Sequence, residues 1–141
     1  MSVEIDIICS SAPDVRVAAR VADLILGHCL NAYAPLDVEH GSHAVTLKGG
    51  DIWLTAVTIP EAYHEFSGEH AVSMRTERRN PRSYLACLIV SSVLAYCFSG
   101  RFDLDNWITK STSEPVKILA ECLRYEHAEA SWLLERVAEP L

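Results

Sequence analysis

Four arginines, Arg75, Arg78, Arg79 and Arg82, fall within eight positions and make up a third of the chain's twelve basic residues. Guanidinium groups grip carboxylates and phosphates through paired N–H donors, and a helix start beside them adds positive potential. The stretch therefore reads as a candidate anion site, with His70 and Tyr84 near enough in sequence to move a proton. The plainer alternative is a solvated turn whose arginines pair with the abundant acids. Opposite in charge is the segment 61–69, EAYHEFSGE, where Glu61, Glu65 and Glu69 alternate with Tyr63 and Phe66. Asp103, Asp105 and Trp107 repeat the combination further along. Carboxylates interleaved with aromatics make protein-contact surface. Ordinary loop composition with the aromatics turned inward is the alternative there.

Other side chains are weaker candidates. Cys9 closes a predicted strand just before a predicted helix, where a thiolate is stabilised. Arg16 follows it after six residues rather than the five of a phosphatase loop, and no glycine intervenes to shape an amide cradle. A buried structural cysteine is the expectation. His40, His43, His64 and His70 match no metal-ligand spacing, and Gly68 stands where a His-Glu-x-x-His pair needs its second histidine. Asp103 and Asp105 resemble the start of a calcium loop, but Ile108 occupies the turn position that calls for glycine. No G-x-S-x-G elbow is present, and Gly49-Gly50 lacks the Lys-Ser/Thr of a phosphate loop. No metal or cofactor is expected, and no catalytic set is assembled.

Composition narrows the function classes. The 141 residues carry 19 acids and 12 bases, a net charge of −7. That balance argues against nucleic-acid binding, which draws on a basic surface to displace counterions. It suits a basic protein partner, and equally mere solubility. Five widely spaced cysteines in apolar runs read as free thiols of a reducing compartment. With Glu4 and Asp6 near the start, the opening residues do not read as a secretory signal, so the expected location is cytoplasmic. With half its residues hydrophobic and no linker, residues 1–141 read as a single globular domain.

The elements that must position these groups are organised around residues 84–98. Thirteen of those fifteen are Ala, Cys, Leu, Ile, Val, Tyr or Phe, and Ser91 and Ser92 are the exceptions. A helix apolar all round is buried all round. Asn80 supplies its N-cap, Pro81 its first position, and Gly100 its stop. The apolar run falls short of a membrane span. Upstream, residues 3–9 alternate as a strand, and 15–30 form a helix with Ser11 as cap. Residues 31–42 read as a polar connector. Residues 43–48 and 51–59 form a hairpin around Gly49-Gly50, and 70–78 a further strand. A last helix is predicted over about 115–137. The order β-α-β-β-β-α-α predicts an α+β fold: a mostly antiparallel sheet of about four strands packed on a buried central helix and a C-terminal helix.

A compact, acidic α+β chain with no assembled catalytic set resembles the immunity proteins of bacterial contact-dependent and polymorphic toxin systems. The resemblance lies in overall character and has no signature motif. It implies an antitoxin-like inhibitor that binds a cognate toxin domain, often a basic nuclease, and covers its active site. Glu61, Glu65, Glu69, Asp103 and Asp105 would then face the toxin, with Tyr63, Phe66 and Trp107 as anchors. A small enzyme or anion-binding domain using Arg75, Arg78, Arg79 and Arg82 is the alternative, and a homodimeric module using sheet edges is a third.

Overall fold

The computed structural model describes residues 2–42, 44–60, 68–77, 79–102, 120 and 135. Among them are strand β1 (Ser2–Cys9), helix α1 (Val15–Cys29), strands β2 (Asp37–His40), β3 (Val45–Gly49), β4 (Ile52–Ile59) and β5 (His70–Glu77), helix α2 (Pro81–Cys97) and strand β6 (Gly100–Phe102). The fold is α+β. Its six strands form one antiparallel sheet in the order β2-β3-β4-β5-β1-β6.

Period-two alternation assigns the two faces of this sheet. Val3, Ile5, Ile7 and Cys9 of β1 point inward with Val72, Met74 and Thr76 of β5, Leu54 and Ala56 of β4, and Leu47 of β3, and all are buried. Helix α2 lies across this inner face against β4, β5, β1 and β6, and α1 packs on α2. Helix α2 is the rod its composition predicts: everything from Ser83 to Cys97 is buried or half-buried, and Ile89 and Leu94 are wholly inaccessible. Its start follows the sequence reading. Asn80 Oδ1 accepts from the Ser83 N–H at 3.1 Å, and Pro81 occupies the first helical position. The Ser92 hydroxyl stays within the helix, donating to the Leu88 carbonyl at 2.8 Å.

Several expectations need correction. Among the described residues the sheet has six strands rather than about four. Residues 37–40 of the supposed connector form edge strand β2, and Gly100–Phe102, beginning at the glycine expected to stop α2, pairs with β1. Helix α2 does not stop on Gly100. The left-handed position is taken by Ser99, φ 54°, and Gly100 already belongs to β6. Gly100 is required for a different reason: a Cβ there would lie 2.8 Å from Cys9 Sγ and 2.9 Å from the Ile8 carbonyl oxygen. In α1 the cap is Asp14 rather than Ser11, its Oδ1 accepting from the Arg16 and Val17 N–H groups.

The hairpin turns where expected, and its glycines differ in purpose. Gly50, φ 58°, opens the two-residue loop Gly50-Asp51, where a positive φ is needed. Gly49 lets the segment before β2 approach, since a Cβ would sit 2.5 Å from the Ala34 carbonyl oxygen. The helix predicted over 115–137 lies outside the described residues except at Ala120 and Glu135. Both are helical, and Ala120 joins the core.

Candidate functional site

The outer face of the sheet, away from α1 and α2, changes character along the strands. Register places Ile59, Ala71, Ile8 and Arg101 in one row across β4, β5, β1 and β6. At the other end Asp37, Lys48 and Trp53 form a row that continues, one register step on, to Glu77. Ile8, Ala71 and Ser73 are buried, whereas Lys48, Trp53 and Glu77 are exposed. One end of the outer face is therefore apolar and covered, and the other charged and open.

At the covered end, Arg101 reaches across β1 to Glu69 in a two-pronged pair. Its Nη1 donates to Oε1 at 3.1 Å and its Nη2 to Oε2 at 3.2 Å. This is the fork geometry that gives guanidinium–carboxylate pairs their directionality. Cys9 lies beneath it. Burial pushes the Cys9 thiol up to about 11; the Glu69 carboxylate adds to the rise, and the Arg101 guanidinium works against it. Such a thiol stays protonated and is a poor nucleophile, as expected of a structural cysteine. The Ser10 hydroxyl and N–H both donate to the Ser99 carbonyl, at 2.8 and 3.2 Å, tying the end of β1 to the turn before β6.

Of the acidic candidates, Glu69 belongs to this corner. Glu61, Tyr63, Glu65, Phe66, Asp103, Asp105 and Trp107 lie outside the described residues. In the chain, residues 61–69 lead into the start of β5, and 103–107 follow the end of β6. These strands flank β1 on either side, so His70 at the start of β5 and Phe102 at the end of β6 are two strand spacings apart across the sheet, roughly 10 Å, and two residues apart along it, roughly 7 Å.

The described arginines of the cluster sit on different elements. Arg75 lies mid-strand on the outer face, its Nε 3.6 Å from Glu4 Oε1 and 3.3 Å from Ser73 Oγ. Arg82, in the first turn of α2, places its Nε 3.0 Å from Asp51 Oδ1 at the hairpin loop. Arg79 is exposed in the turn between β5 and α2, and Arg78 lies outside the described residues. Arg75 and Arg82 thus each meet a different carboxylate. His70 is exposed at the start of β5, at the opposite end of that strand from Arg79.

Two polar constructions escaped the sequence reading. Around Asp23 of α1, Oδ1 accepts from the Tyr33 hydroxyl at 2.5 Å and the Leu36 N–H at 3.0 Å, while Oδ2 lies 3.2 Å from Arg20 Nη1. Arg20 Nη2 also donates to the Leu36 carbonyl. Both backbone groups of Leu36 are therefore held by α1 side chains just before β2. Burial, and then the hydrogen bond to Asp23, push the Tyr33 phenol well above its usual range. The second construction fixes the hairpin to α2. The Trp53 N–H donates to Ser83 Oγ at 3.0 Å, Thr76 Oγ1 donates to the Trp53 carbonyl at 2.9 Å, and Asn80 Nδ2 donates to the Asp51 carbonyl at 2.7 Å. The indole on this fixed backbone is 47% exposed. Sequence adjacency gave no signal for either, because every partner lies ten or more residues away except Arg20–Asp23.

Among the described residues, no group of three or more His, Cys, Asp or Glu is placed to hold a metal ion. Nor, among them, is any helix long and apolar enough to cross a membrane. Comparison with protein-family models, with curated proteins and with solved structures finds no match to this chain.

Proposed function

We propose that the protein is an interaction protein of the immunity type, which binds a cognate toxin domain and blocks it through the acidic corner beside Glu69. The observation that carries this reading is the Arg101–Glu69 fork. It ties together, across β1, the two places where acidic, aromatic-bearing segments meet the sheet. A net charge of −7 and acids concentrated on two segments suit a basic partner and speed its association. The inner face is filled by α1 and α2, so work of this kind falls to the sheet's ends and outer face.

The test is direct. The purified protein is mixed with the product of the adjacent reading frame, and complex formation is followed by calorimetry at 50 and 300 mM salt. The expected result is a stoichiometric complex at micromolar concentration, weaker at the higher salt, together with relief of that product's toxicity on co-expression. No complex and no relief would remove the proposal.

A further inference from the structure

The open end of the outer face carries a pattern unrelated to the acidic corner. Across adjacent strands β3, β4 and β5, register places Lys48, Trp53 and Glu77 side by side: a cation, an indole and a carboxylate. All three are exposed. Trp53 does not ride on a loose loop. Its N–H and carbonyl are bound by the hydroxyls of Ser83 and Thr76, both buried, and the preceding loop is held to α2 through Asn80 and Arg82. A large aromatic on fixed backbone loses little freedom on docking and so suits an interface anchor.

The row is complementary to itself. Let a second copy face this sheet, related by a two-fold axis running along β4 through Trp53. The strand on one side of the axis then meets the strand on the other side in the partner. Lys48 of each copy comes opposite Glu77 of the other, and the two indoles meet at the axis. Such an isologous contact closes after two copies. In the next row Glu39 approaches the second copy's Glu4, but Arg75 already lies 3.6 Å from Glu4 and offsets that charge. We infer that this face is a homodimer interface, with a second copy of the chain as its occupant.

The contact is modest. Five strands span roughly 20 Å between the outer strand axes, and two exposed rows add about 14 Å along them, well below the roughly 800 Å² per partner of a standard interface. A dissociation constant in the range of tens to hundreds of micromolar is expected. The acidic corner lies about six residues, roughly 20 Å, further along β5, so dimerisation leaves it open and the inference stands apart from the proposed function.

Sedimentation equilibrium between 10 µM and 1 mM tests it. The wild-type chain should show a monomer–dimer equilibrium. Trp53→Ala, Lys48→Glu and Glu77→Lys should each weaken dimerisation at least tenfold, and Lys48→Glu combined with Glu77→Lys should restore it to within about threefold of wild type. Since these side chains are exposed, circular dichroism should show all variants folded. A wild-type chain still monomeric at 1 mM would overturn the inference. So would self-association indifferent to Trp53→Ala, or charge reversals that the double variant fails to rescue.

Discussion

Burial decides what the individual side chains do. Cys87, enclosed in α2, has its thiol pushed up to about 12, with the nearby Ser91 hydroxyl working in the opposite direction; Cys9 reaches about 11. Below pH 9 both thiols are neutral whether the chain is folded or not. Above it the unfolded chain releases protons that the folded chain keeps, so stability should fall as pH rises from about 9 toward 12. Urea unfolding at pH 8 and pH 10.5 should show that fall, and Cys87→Ala should reduce it; a pH-independent midpoint would contradict the assignment. Asp23 makes a second prediction at this scale. Tyr33→Phe removes one of its hydrogen bonds and should cost about 1 kcal/mol, whereas Asp23→Ala strands the Leu36 N–H, Tyr33 and Arg20 together and should cost about 2–3 kcal/mol. Equal losses for the two variants would show that the carboxylate does not organise the cluster. The buried thiols were legible in the apolar runs that hold them, whereas the Asp23 cluster was not, because its partners lie ten or more residues away except Arg20.

Elements were legible where local signals and burial agreed. The Asn80-Pro81 start and the unbroken apolar run identify α2, because a buried rod tolerates few polar residues at any angle. The Gly-Gly hairpin was equally plain. β2 was missed because only Val38 among its four residues is apolar, as suits an edge strand with a charged rim. β6 was missed because three residues show no alternation, and because a glycine after an apolar run reads as a helix stop. At that junction Ser99 holds a left-handed conformation that costs a side-chain-bearing residue about 1 kcal/mol. Ser99→Gly should therefore stabilise the fold by up to about 1 kcal/mol, since the bonds from Ser10 go to its carbonyl and survive. Gly49→Ala should do the reverse, losing about 2 kcal/mol as its Cβ forces the backbone at Ala34 away. Thermal unfolding of the two variants checks both signs.

At the level of the whole molecule, the sheet divides its labour. Its inner face is spent on α2 and α1, and its outer face runs from a covered corner under the Arg101–Glu69 fork to an open row around Trp53. Four neighbouring arginines suggest one site, yet a strand alternates its side chains and a turn redirects the chain. Arg75 and Arg82 accordingly meet separate carboxylates. The two acidic stretches, far apart in sequence, are joined to strands that flank β1. Engagement of both stretches by one partner is the central proposal, and hydrogen exchange on the complex with the adjacent-frame product tests it most directly. The account predicts slowed exchange at the amides around Glu69 and Arg101 and through 61–67 and 103–107, with α1 unchanged. Protection confined to the exposed side of α1, with the corner exchanging as in the free protein, would contradict it.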